Sequence, residues 1–142
     1  NFSKKGLSIF KLLAILALYT TSATSNNRII FMFTKKILID LDGVLNEYGK
    51  DTFSENHIPE IKVGAYEFLE TLSQSAELYL FTSRNLMLAT KWLINNNLDK
   101  FFKDVTNIKL PSYLYIDDRT ICFKGDYHKT LEEIKKFKVY WK

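Results

Sequence analysis

One cysteine, two histidines, two prolines and five glycines are all that 142 residues hold of the types that most often crosslink or punctuate a chain. A lone Cys122 excludes an intramolecular disulfide, so nothing calls for an oxidising compartment; in TICF it reads as a small apolar core residue. His57 and His128 lie in polar contexts, as exposed structural residues, and leave zinc without a ligand set. No internal repeat, low-complexity segment or linker divides the chain. The longest apolar run, Leu12 to Tyr19, falls far short of the roughly 20 residues that span a bilayer.

A basic surface is also lacking where it would count. The formal charge of +4 resides in residues 1–31, where Lys4, Lys5, Lys11 and Arg28 meet no acid, leaving 16 basic against 16 acidic groups in residues 32–142. That neutrality argues against nucleic-acid binding, and the lysines near the end of the chain read as the wet face of a helix. Residues 1–31 have roughly the layout of a secretory signal, but Lys11 interrupts the apolar run and Met32 immediately precedes FTKKILIDLDG. They are read as a leader or extension upstream of a start at Met32, with export the lesser reading and a cytoplasmic domain over 32–142 the preferred one.

What is present is a hydrophobic fraction of 46%, enough to close one core, arranged as short apolar runs alternating with amphipathic stretches. KKILIDLD is too short and continuously apolar for anything but a buried strand. Helices are expected from Gly64 through AYEFLETLSQS, with Ala65, Phe68, Leu69 and Leu72 on one face, and over NLMLATKWLINNN, where Trp92 joins the core and the asparagines stop the helix. ELYLFT and YLYIDD read as strands, LDKFFKDVTNIKLP as a link, and TLEEIKKF as a last helix. The sum is a single α/β domain of about 110 residues, a doubly wound and mainly parallel sheet.

Three such strands end in groups with chemistry: Asp40 and Asp42, then Thr82, then Asp117 and Asp118. In an open parallel sheet the carboxyl ends line one crevice, so these side chains converge, with Gly43 allowing the turn that lets Asp40 and Asp42 share a site without being equivalent. Each close pair of carboxylates costs on the order of 4 kcal/mol at an effective dielectric near 20. A divalent cation offsets that repulsion, and an all-oxygen donor set suits Mg²⁺.

DLDGVL, LYLFT and YIDD, in that order, resemble the first, second and fourth motifs of the haloacid dehalogenase superfamily of phosphohydrolases, across residues 35–126. The third motif is a lysine, for which Lys109 fits best and Lys91, Lys100 and Lys103 compete. FTSR and IDDRTICFKGDY are similar to a small branch of the superfamily that lacks a cap domain. The resemblance implies that Asp40 is a nucleophile forming an aspartyl-phosphate, and that Asp42 is the acid/base. It implies that Thr82 binds the phosphoryl group and that Lys109 balances charge. Mg²⁺ would be held by Asp40, the Asp42 backbone carbonyl and Asp117, with Asp118 behind them. Ser83 follows Thr82 as a substrate-binding candidate. Arg84 and Arg119 either bind a second substrate oxyanion or pair with the aspartates.

No cap fits between Gly43 and Gly64 or between Thr82 and Lys109, so the resemblance implies an open site for a large partner or a homo-oligomer in which a neighbour forms the lid. The loop NEYGKDTFSENHIPEIK offers partial cover, with Tyr48 and Phe53 as wall residues. The substrate stays open among a phosphorylated small molecule, a nucleotide and a phosphorylated polymer end. The rival class is a receiver-like or degenerate domain that binds Mg²⁺ and phosphate, or accepts a phosphoryl group, without turnover; Asp42 speaks against it.

Overall fold

The computed structural model describes residues 35–49 and 53–142; the expectations for residues 1–31 and for a start at Met32 lie outside the described residues. KKILID forms the first strand, β1 (Lys35–Asp40). After a loop bridged once, between Asn46 and Ile61, Gly64 takes a left-handed conformation (φ 86°) at the start of α1 (Ala65–Ser73), a geometry that suits glycine. β2 (Ala76–Phe81) follows. In α2 (Leu86–Asn95) the Asn85 side chain accepts the Leu88 N–H, capping the first turn, and Asn96 and the left-handed Asn97 (φ 57°) end it. A 3₁₀ turn (Asp99–Phe101) leads to β3 (Phe102–Thr106), then β4 (Leu114–Ile116) and α3 (Tyr127–Lys136).

The four strands form one parallel sheet in the order β3-β2-β1-β4, so the chain moves outward from β1 in one direction and returns to pair β4 on its other side. That reversal beside β1 is the switch point at which an open α/β sheet leaves a crevice. The core fills one face only: Ile37, Ile39, Leu78 and Leu80 pack with Ala65 and Leu69 of α1 and Ala89 and Leu93 of α2. The other face presents Leu38, Tyr79, Phe81 and Tyr115, of which Leu38 alone is fully buried. β3 and β4 are joined by residues 107–113 with no helix, whereas most parallel crossovers carry one. No residue of α3 is buried.

Four expectations need correction. β3 belongs to the stretch expected to be a link: it is an edge strand with exposed Lys103 and Asp104, so no apolar alternation announced it. Phe68 is 41% exposed, because α1 turns Ala65 and Leu69 to the sheet and leaves position 68 at the edge of that stripe. Cys122 is exposed, since β4 has ended at Ile116 and TICF runs as loop. α3 starts three residues before TLEEIKKF, where the Asp126 side chain accepts the Lys129 N–H. No helix among the described residues is long and apolar enough to cross a membrane.

Candidate functional site

Parallel pairing of β1 with β4 brings Asp40, the last residue of β1, beside Asp117 and Asp118, which follow β4 at once. One carboxylate oxygen from each of the three lies within 4.8 Å of the others. Burial, and after it the charges of Asp117, Asp42 and Asp118, push the Asp40 carboxyl up to about 7 against the lowering effect of the Leu41 N–H. Asp117 Oδ1 accepts the Arg119 N–H at 2.7 Å, which fixes the turn after β4. The Asp118 side chain is 1% exposed, and its Oδ1 has no hydrogen-bond partner. Among the described residues the nearest cationic group is Arg119 Nε, 3.9 Å away.

A buried carboxylate oxygen with nothing to accept costs about 1–3 kcal/mol or more. With Asp40 and Asp117 this oxygen completes a set of three carboxylates, all hard oxygen donors, that suits a divalent cation of the Mg²⁺ class. Thr82 sits across from them just past β2. It is buried, its N–H is bonded to the Thr106 carbonyl, and its hydroxyl accepts the Arg84 N–H. Asp40, Thr82, Ser83, Asn107, Asp117 and Arg119 line one open cavity of about 240 Å³.

Asp42 is not in that trio. Its Oδ2 accepts from Arg84 Nε at 2.7 Å and its Oδ1 from the Asn46 side chain at 2.8 Å. The buried Arg84 guanidinium also donates to the Ser54 and His57 carbonyls and lies over the Phe53 ring. Of the two roles open to Arg84, the structure shows the aspartate pair. Arg119 has the opposite character. It is half-exposed and lies over Tyr48 and Trp141, with its side chain at the cavity.

Lys109 is exposed, with Nζ 4.8 Å from the Tyr115 ring centre, and makes no ion pair with Asp40. It borders a neighbouring cavity rather than the one that holds Asp40. Of the competing lysines, Lys100 donates to the Tyr66 hydroxyl and is fully exposed, which removes it from the site. Tyr48 and Phe53 meet edge to face at 6.5 Å, but neither lines the cavity that holds Asp40; Phe53 borders another, with Ser83 and Arg84.

Four contributors escaped the sequence reading. Asn46 is buried, holds Asp42 and accepts the Gly43 N–H; its place four residues after Asp42 was the available signal. Asn107 follows the unforeseen β3. Tyr140 and Trp141 belong to a tail that returns to the site: the Tyr140 hydroxyl donates to the Gly43 carbonyl and accepts from Lys62, and the Trp141 indole N–H donates to Asp118 Oδ2 at 2.5 Å. The fit is close enough that a Cβ on Gly43 would lie 2.5 Å from Asp118 Oδ2, and one on Gly49 would enter the Trp141 ring. Nothing in KVYW foretold these contacts.

No family model and no curated protein matches the chain. Among solved structures it is similar to a conserved protein from Bacteroides thetaiotaomicron, with 26% identity, 72% of this chain and 91% of that one covered, and a TM-score of 0.49.

Proposed function

We propose that the chain is a Mg²⁺-dependent phosphomonoester hydrolase of the haloacid dehalogenase type that works through an aspartyl-phosphate on Asp40. The observation that carries the reading is the trio of Asp40, Asp117 and Asp118, of which Asp40 and Asp117 share one cavity with Thr82 and Asp118 keeps an unpartnered oxygen. Asp40, Asp117 and Asp118 would hold the cation, which when bound supplies positive charge that offsets the carboxylates and a phosphoryl dianion.

An Asp40 oxygen attacks phosphorus, the bond from phosphorus to the ester oxygen breaks, and that oxygen leaves with the electron pair and takes up a proton. Water then attacks the phosphorus of the aspartyl-phosphate, losing a proton, and Asp40 is released with inorganic phosphate. The Thr82 hydroxyl and the Arg119 guanidinium orient the phosphoryl oxygens, which is most of what this reaction asks of a protein. Asp42 lies two residues from the nucleophile and is the group to carry the proton in both steps, exchanging one of its present donors for substrate or water.

Those donors also favour a second reading. With both Asp42 oxygens engaged by Arg84 and Asn46, a domain that accepts a phosphoryl group and keeps it is the alternative. One experiment separates the two: release of p-nitrophenol from its phosphate by the full chain, with and without Mg²⁺, beside Asp40→Asn and Asp42→Asn. Hydrolysis that needs Mg²⁺ and falls at least about 10³-fold in both variants supports the hydrolase. Label from a phosphodonor that stays on Asp40 through many minutes, with no turnover, supports the acceptor. Neither turnover nor label ends both readings.

A further inference from the structure

A second cavity, of about 450 Å³, adjoins the one around Asp40; Phe81 and Asp117 line both. The larger volume exists because the sheet's second face carries no crossover helix between β3 and β4. Its walls are the Phe81 and Tyr115 rings, edge to face at 6.4 Å, with Leu114 and Ile121. Asp117 is the one acid among its lining residues; Thr120, Cys122 and Lys109 supply further polar atoms, and the Tyr115 hydroxyl already donates to the Leu110 carbonyl. The smaller cavity matches a phosphoryl group among its ligands. The larger falls in the size range of small-molecule sites, which are mostly apolar with a few placed polar groups.

We infer that this cavity receives the alcohol part of the substrate and that this part is a flat aromatic group, so that the substrate class is aryl or arylmethyl phosphomonoesters; the inference rests on the phosphomonoester reading above. A phosphoryl group between Asp40 and Thr82 has Phe81 as its neighbour, and a ring attached to it reaches the apolar walls around that side chain. There it packs against Phe81 and Tyr115 at the edge or in offset stacking, as aromatic pairs prefer. A sugar or polyol in the same place leaves several hydroxyls to share Thr120, Lys109 and a thiol, and each hydroxyl stripped of water without a partner weakens binding. Selectivity thus comes from the uncovered sheet face, without a cap domain.

Cys122 makes the test direct, because it is the chain's single cysteine, is exposed and lines this cavity. The full chain with Mg²⁺ is titrated calorimetrically with three ligands that cannot be hydrolysed: naphthylmethylphosphonate, 2-hydroxyethylphosphonate and inorganic phosphate. The titrations are repeated after alkylation with N-ethylmaleimide, with Cys122→Ser as the control that the reagent cannot touch. Naphthylmethylphosphonate should bind at least about tenfold tighter than 2-hydroxyethylphosphonate, a modest return for burying two fused rings. Alkylation should erase that advantage, leave inorganic phosphate affinity as it was and do nothing to Cys122→Ser. Equal affinity for the two phosphonates, or an aryl advantage that survives alkylation, overturns the aromatic pocket while phosphate binding still upholds the phosphoryl site. If none of the three binds, the phosphoryl site falls and the pocket assignment falls with it.

Discussion

Asp42 and Asp118 form two corners around the Asp40 carboxylate, on which both charges act, and differ in one respect that matters. Every oxygen of Asp42 is taken up, by Arg84 and by Asn46, and the arginine in turn ties down two carbonyls of the first loop. Asp118 is the more buried of the two, yet one of its oxygens accepts nothing and its arginine stands 3.9 Å away, half-exposed. A satisfied charge holds a fold together, whereas an unsatisfied one holds free energy ready for a ligand. The contrast sorts the acids by task even though all lie within a few residues of a strand end.

Removing the satisfied corner should produce the largest effect on stability. Arg84→Ala deletes a buried ion pair and three further contacts, and chemical denaturation should show a loss of about 3–5 kcal/mol. Arg84→Lys should recover only part of it, because an ammonium cannot reproduce the guanidinium fork. A loss below about 1 kcal/mol would mean that the corner is a wet surface pair and the contrast fails.

The unsatisfied corner should answer to pH. A carboxyl raised to about 7 binds its proton more tightly folded than unfolded. The stabilisation from Asp40 is therefore complete below the ordinary carboxylate range and is lost as pH rises towards 7. Without Mg²⁺, Asp40→Asn should raise the melting temperature more at about pH 8 than at about pH 4, and Mg²⁺ should raise that of the natural sequence more at the higher pH. Equal shifts at both values would show that neither burial nor the neighbouring acids raise the Asp40 carboxyl.

The smallest effect sharpens the comparison at Asp118 itself. Trp141→Phe keeps most of the ring against Tyr48 and removes the N–H that fixes Asp118 Oδ2. Mg²⁺ affinity, read by calorimetry, should fall about tenfold, and the metal-free protein should lose about 1–3 kcal/mol because Asp118 Oδ2 is left without its donor. An unchanged affinity would make the indole contact mere packing.

The sheet and both core helices were legible because burial enforces period: Ile37, Ile39, Leu78 and Leu80 had to face one way, and Ala65, Leu69, Ala89 and Leu93 had to meet them. β3 was not legible because an edge strand exposed to water needs no apolar alternation. At the site, Asp40, Thr82, Asp117 and Asp118 could be read because strand ends in a parallel sheet converge without further information. Which arginine was consumed and which left at the cavity could not be read, since that depends on where carbonyls of the 53–57 loop fall. Nor could Lys109 be assigned, as a flexible side chain on a link obeys no register.

The strap formed by Tyr140 and Trp141 has a consequence for the order of events in the life of the chain. The Tyr140 hydroxyl meets Gly43 across 97 positions of sequence, so the site's first loop is finished by residues synthesised long after it. The apolar face, whose fully buried residues end at Leu98, can begin to close while the nascent chain is still being extended. The acidic crevice is assembled afterwards, so during synthesis the scaffold exists before the chemistry does.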